Sequence, residues 1–226
     1  MLAVFDVDGT LCDTQHVEGR CYALAIERVT GMSLDTLDWS AYDEPTSSAI
    51  VRHLLDSDPK AIEKEEKIKS EFCRLLQEER PSYPGDFVPV PGAVEFLERL
   101  SAEKVCEVAI ATGCFDVTAR FKLECCGIGL DQYPHATSSD TSRRRDIISL
   151  ATQRAGFNLS SVVYFGDAPW DIRVSRALNI PMIGIGRRDE QLRTLGLRYV
   201  FRDYSEHDKI IDALRALRLV NHLNQE

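Results

Sequence analysis

The chain has 226 residues, enough for one large domain or for a core with a smaller insert, and a hydrophobic fraction of 44% supports a sizeable buried interior. A net charge of -9 with no long basic run argues against nucleic acid and anionic membranes as main partners. No apolar run is long enough to span a bilayer, and Met1 leads straight into Leu2-Ala3-Val4-Phe5 without the pattern of a secretory signal. Seven cysteines, an odd number without C-x-x-C spacing, fit reduced thiols in a cytoplasm.

Residues 2 to 6 form a short apolar run ending in a turn, which predicts a buried strand. From about Thr14 to Arg80 the pattern is helical and carries no strand signal. Within it, Val17, Cys21, Leu24, Ala25 and Val29 recur near the helical period, and Ile62, Ile68, Phe72, Leu75 and Leu76 make a stripe through a Lys- and Glu-rich segment. That charge run reads as a solvated helix face. Six Pro and Gly residues between Pro81 and Gly92 then mark a loop, read as the return from a helical insert.

After this loop helices and strands alternate. Helices are expected at Ala93–Ser101, Asp116–Cys126 with Gly127 as cap, Ser142–Ala155, Trp170–Leu178, Glu190–Leu195 and Ser205–Leu219. Strands are expected at Val108–Ala111, His135–Thr137, Val162–Phe165, Met182–Ile185 and Tyr199–Phe201. The fold class is therefore α/β, a doubly wound parallel sheet with an all-helical cap inserted after the first strand. The core comprises residues 1–13 and 86–226, and the cap residues 14–85.

Ligands of such sheets sit at the carboxyl ends of strands. The first strand ends in Asp6-Val7-Asp8-Gly9-Thr10, the second in Thr112-Gly113, and the fourth in Gly166-Asp167-Ala168-Pro169-Trp170-Asp171. Four carboxylates thus converge on one edge, where they repel one another unless a cation lies among them. Oxygen ligands and the lack of clustered His or Cys favour Mg²⁺ over zinc, and such a site suits phosphate chemistry.

These motifs resemble the haloacid dehalogenase-like superfamily: FDVDGTL, ATG at residues 111–113, and GDAPWD at residues 166–171. The segment ATGCFDVTARFKLECCGI looks like its phosphoglycolate-phosphatase-like branch. The resemblance implies Mg²⁺-dependent hydrolysis of a small phosphorylated metabolite. Asp6 would be the nucleophile that forms an aspartyl-phosphate, and Asp8 the general acid and then base. Asp6, the Asp8 backbone carbonyl and Asp167 would hold the metal, with Asp171 a direct or outer ligand. Thr112 and the backbone near Gly113 would hydrogen-bond the phosphoryl oxygens. Asp8 favours phosphate esters over halides, because a leaving alkoxide must be protonated.

The family's usual Lys-Pro motif is missing, and Arg143-Arg144-Arg145 stands in its place. The spacing to Ile147-Ile148 favours Arg144 as the catalytic cation, with Arg143 next; Lys122 reads as a surface residue or helix partner. Arg20 and Arg52 of the cap are candidates for an anionic leaving group, Cys12 for the site mouth, and Trp39 and Tyr42 for packing within the cap. Three alternatives use the same core: a sugar-phosphate mutase, a phosphonate hydrolase with Lys60, Lys64, Lys67 or Lys69 as Schiff-base donor, and a catalytically degenerate binding module.

Overall fold

A computed structural model describes residues 1–223. The strands are β1 (Leu2–Phe5), β2 (Cys12–Asp13), β3 (Val88–Pro89), β4 (Glu107–Ala111), β5 (His135–Ala136), β6 (Val162–Gly166), β7 (Met182–Ile185) and β8 (Tyr199–Phe201). The helices are α1 (Gln15–Thr30), α2 (Ser47–Leu54), α3 (Ala61–Glu79), α4 (Ala93–Ala102), α5 (Asp116–Cys125), α6 (Arg144–Arg154), α7 (Pro169–Ala177), α8 (Asp189–Thr194) and α9 (His207–Leu223).

Six strands form a parallel sheet in the order β5-β4-β1-β6-β7-β8. β1 lies inside it and is buried along its whole length, as an uninterrupted apolar run requires when both faces are covered. Its neighbours, β4 and β6, belong to the two halves of the chain that wind outward in opposite directions, so β1 sits at the switch point of the sheet. Phe5 is in register with Ile110 on one side and Phe165 on the other. Residues just beyond these positions, Asp6, Thr112 and Asp167, therefore emerge together at one edge.

Alternation along the strands divides the core into two layers. On one face Phe5, Ile110 and Phe165 pack with Phe96 of α4, Tyr204 and Ile210 of α9. Phe5 and Phe165 stack with ring centroids 4.3 Å apart, and Phe96 stacks on Tyr204 at 5.0 Å. On the other face Leu2, Val4 and Tyr164 pack against Ile147 and Ile148 of α6 and Ile172 of α7. Each fully buried side chain of this size contributes about 1.5–3 kcal/mol relative to exposure, so the sheet edge rests on a rigid base.

A third apolar cluster joins α1, α2 and α3 through Val17, Tyr22, Ile26, Val51, Ile68, Phe72 and Leu76. Phe115, at the start of α5, inserts into this cluster and ties it to the sheet. Two features depart from expectation. The chain leaves and re-enters the sheet region through a short antiparallel pair, Cys12 with Pro89 and Asp13 with Val88; two residues per strand are too few to show a period in sequence. The charged helix α3 is also not wholly solvated, because Glu65 is buried and accepts from Ser48 Oγ and Arg52 Nε.

Candidate active site

A cavity of about 400 Å³ opens at the carboxyl edge of the sheet, between it and the helical cluster. Its walls include Asp6, Asp8, Thr112, Gly113, Arg144 and Asp167 from the sheet side and Glu18, Tyr22, Trp39, Thr46 and Ser47 from the helical side. The two sides touch directly. Ser47 N–H donates to the Gly113 carbonyl at 2.8 Å, and Thr46 Oγ1 donates to the Ser142 carbonyl at 2.6 Å.

Asp6 follows β1, and its backbone N–H extends the ladder to the Phe165 carbonyl at 3.0 Å. The residue is 4% exposed. Arg144 Nη1 lies 3.3 Å from Asp6 Oδ1, 3.1 Å from Asp171 Oδ1 and 3.3 Å from the Tyr164 hydroxyl. Burial pushes the Asp6 carboxyl well above its ordinary range; Arg144 counters this, and Asp171, Asp167 and Asp8 add to it. The negative charge around Asp6 is thus only partly compensated by protein cations.

Of the arginine cluster, Arg144 alone is buried and lines the cavity; Arg143 and Arg145 are exposed. A Cβ on Gly113 would lie 2.7 Å from Arg144 Nη2 and 3.2 Å from the Pro45 carbonyl, so only glycine permits both to approach here. Gly166 has the same role for Asp171, whose carboxylate would meet an added Cβ at 2.7 Å.

Asp171 is fully buried, and both its oxygens are engaged. Oδ1 takes Arg144 and Tyr164, while Oδ2 accepts the backbone N–H groups of Asp167 and Ala168 at 3.2 and 3.1 Å, closing the first turn of α7. Asp167 is 2% exposed, and its Oδ2 accepts from Arg188 Nη1 at 2.7 Å. Carboxylate oxygens of Asp6, Asp167 and Asp171 come within 4.8 Å of one another.

Lys122 departs most from expectation. Instead of lying on the surface it is fully buried, with Nζ donating to Asp8 Oδ1 and Oδ2 at 2.7 and 2.6 Å and to Glu18 Oε1 at 2.7 Å. Cys114 Sγ lies 2.9 Å from the same nitrogen and donates to Asp8 Oδ2 at 2.7 Å, and Thr14 Oγ1 donates to Asp8 Oδ1. Burial alone would raise the Asp8 carboxyl, but Lys122, Cys114 and Thr14 outweigh it and hold the group below its ordinary range. The sequence does carry a signal. Thr118, Ala119, Lys122 and Leu123 are the buried positions of α5, so the lysine falls in the helix's apolar face.

Three expected substrate contacts are corrected: Arg20 and Arg52 for the leaving group, and Arg143 as the second candidate cation. Arg20 pairs with Glu79 and lies over the Tyr83 ring, Arg52 pairs with Glu65, and Arg143 is exposed; none lines the cavity. Long side chains on outward helix faces pair with their own surface. Cys12 is buried beneath the turn rather than at the mouth, with Sγ 3.7 Å from the Lys122 carbonyl. Trp39 lines the cavity as well as packing on Tyr22 and Tyr42. No lysine lines the cavity among the described residues. Lys64, Lys67 and Lys69 pair with Asp58, Glu63 and Glu66, which leaves the Schiff-base alternative without a donor at the site.

A parallel sheet with a carboxylate cluster at its switch point defines a class, and the comparisons agree with it. The haloacid dehalogenase-like hydrolase family model matches residues 1–179, and the chain belongs to that family of enzymes. A phosphoglycolate phosphatase from Agrobacterium fabrum is 28% identical, over 96% of this chain and 90% of that protein, and supports the phosphatases within the family. A hydrolase from Pseudomonas syringae shares the fold at a TM-score of 0.69 and 23% identity, covering 100% of this chain and 99% of its own. CbbY from Rhodobacter sphaeroides, solved with phosphate, does so at 0.69 and 16%, covering 91% and 95%. Among the described residues no helix is long and apolar enough to cross a membrane.

Proposed function

We propose that this enzyme hydrolyses a small phosphomonoester with Mg²⁺, through an aspartyl-phosphate on Asp6. The observation that carries the reading is the setting of Asp6: enclosed at the cavity wall, paired with one guanidinium, and surrounded by three further carboxylates.

The residues fit the metal. All the donors are hard oxygens, and the uncompensated negative charge at Asp6 is what a divalent cation removes. Asp6, Asp167 and the Asp8 backbone carbonyl would hold it. Asp171, its oxygens already engaged, would act from outside by orienting Arg144 and the start of α7. When bound, the ion supplies charge neutralisation for the phosphoryl oxygens.

The protein's own groups perform the transfer. An Asp6 oxygen attacks phosphorus as the bond to the leaving oxygen breaks, and Asp8 gives that oxygen its proton. In the second half Asp8 takes a proton from water, which attacks the aspartyl-phosphate, releases inorganic phosphate and restores Asp6. Arg144, Thr112 and the backbone near Gly113 hold the phosphoryl oxygens. Lys122, Thr14 and Cys114 hold Asp8 as the carboxylate that the second half needs. The first half needs Asp8 in its protonated form, the state in which the water-activating step of the preceding turnover leaves it, turned from these donors toward the leaving oxygen.

In this reading residues 14–85 act as a cap over a core of 1–13 and 86–226, opening to admit substrate and closing to exclude water. The free thiols of all seven cysteines support a reducing, cytoplasmic setting.

Phosphate release from p-nitrophenyl phosphate and a panel of phosphorylated metabolites tests the reading. Release should require Mg²⁺, stop with a chelator, and fall at least about 10³-fold in Asp6→Asn. Retained activity in that variant would overturn the mechanism. Transfer between sugar phosphates without net phosphate release would assign the mutase reaction instead.

A further inference from the structure

Strand β7 delivers a second cation to the cavity. Among the described residues that line it, the arginines are Arg144 and Arg188. Arg144 is enclosed by Asp6, Asp171 and Tyr164 and is 9% exposed at its side chain. Arg188 stands just past the turn that ends β7, with 34% of its side chain exposed. Among the described residues its guanidinium makes one hydrogen bond, from Nη1 to Asp167 Oδ2 at 2.7 Å, which leaves further N–H groups of the fork for a ligand. The guanidinium carbon lies 5.5 Å from the centroid of the Trp170 ring, a second wall residue that backs it.

Three physical points follow. A planar guanidinium grips a carboxylate or phosphate through two parallel hydrogen bonds, and backing by an aromatic face reduces the freedom lost on binding. Arg188 stands one carboxylate away from Asp6, because its partner Asp167 belongs to the same cluster. The remaining charged wall residues, Asp8, Glu18 and Asp38 among them, are acidic and repel an anion. A second negative group on a substrate held at Asp6 therefore has one favourable place to go.

We propose that Arg188, backed by Trp170, binds a second oxyanion carried by the leaving group, a carboxylate or a phosphate, and so makes the enzyme selective for phosphomonoesters with an anionic tail. The proposal rests on the phosphatase reading and adds the substrate class to it.

Two measurements test it. The first compares kcat/KM for 2-phosphoglycolate, a sugar bisphosphate and p-nitrophenyl phosphate with Mg²⁺. Wild type should prefer one or both anionic-tailed substrates. Arg188→Met should reduce that preference about 10- to 100-fold, mainly through KM, with partial recovery in Arg188→Lys. The tail that loses more identifies the carboxylate or the phosphate as the ligand. Equal losses on all three substrates, or no preference in wild type, would overturn the proposal.

The second measurement needs no turnover. The chain has two tryptophans, Trp39 and Trp170, and both line the cavity. In Trp39→Phe, Trp170 emission should report binding of phosphonoacetate more tightly than of methylphosphonate, which lacks the carboxylate. Adding Arg188→Met should bring the two together. A difference that survives this substitution contradicts the proposal. If wild type hydrolyses nothing, the phosphatase reading fails, and the phosphonate pair still decides the role of Arg188.

Discussion

The two halves of the cavity floor combine cations with buried or partly buried carboxylates, and they arrange them differently. Around Asp8 one ammonium sits among the oxygens: Lys122 meets both oxygens of Asp8 and one of Glu18, the Asp8 carboxyl is held below its ordinary range, and burial and Asp8 push the Glu18 carboxyl up. Around Asp6 the cations are two guanidinium groups: Arg144 faces Asp6 and Asp171, Arg188 pairs with Asp167, and the Asp6 carboxyl is driven up, first by burial and then by the neighbouring carboxylates. The difference teaches where a metal belongs. A divalent cation fits the group whose oxygens do not already surround an ammonium, and a lysine already fills the other acidic pocket, formed by Asp8, Glu18 and Cys114.

Breaking the lysine-filled half should have the largest effect on stability. Lys122→Met strands two partly buried carboxylates, and chemical denaturation should show a loss of about 2–4 kcal/mol, toward the lower end of the range for a broken buried pair. Adding Glu18→Gln should recover part of it, because one of the stranded charges is then gone. A loss below about 1 kcal/mol would mean that Lys122 is not the counter-ion described.

The Asp6 half should respond to the ion instead. Mg²⁺ at ten times its dissociation constant should stabilise wild type by about 1.4 kcal/mol. Asp167→Asn should abolish that gain, and Lys122→Met should keep it. Calorimetry with and without Mg²⁺ separates the two halves, and equal gains in all three proteins would erase the contrast between them.

Surface pairs mark the low end of the scale. Glu71 of α3 is held at about 2, first by Arg74 and then by Arg28 of α1, against an ordinary value of 4.5. A depressed carboxyl contributes stability above its unfolded value and loses it as pH falls from 4.5 toward 2. Both arginines are nearly half exposed, so solvent screening limits Glu71→Gln to about 0.5 kcal/mol at neutral pH. The difference between variant and wild type in thermal melts should shrink as pH drops through that window.

The sheet and the helical insert were legible because strand and helix periods repeat locally, and the aspartates at the ends of β1 and β6 because turn motifs fix their spacing. The cations were harder to read. Lys122 meets partners 114 and 104 positions away, and nothing in the neighbouring sequence names them. Only its place on the apolar face of α5 hinted at burial. Arg188 follows β7, a strand end that carries no carboxylate motif to draw attention to it. Arg20 and Arg52 pair with residues on the helix beside them, a contact that sequence spacing does not distinguish from one with a ligand.

The central claim is that Asp6 carries the phosphoryl group between the two half-reactions. Rapid acid quench of the Mg²⁺-loaded enzyme with a phosphorus-labelled substrate, followed by peptide mapping, addresses it directly. The account predicts a label on the peptide containing Asp6, stable in acid, released by hydroxylamine, and absent from Asp6→Asn. A label on another residue, or one that persists in that variant, would contradict it.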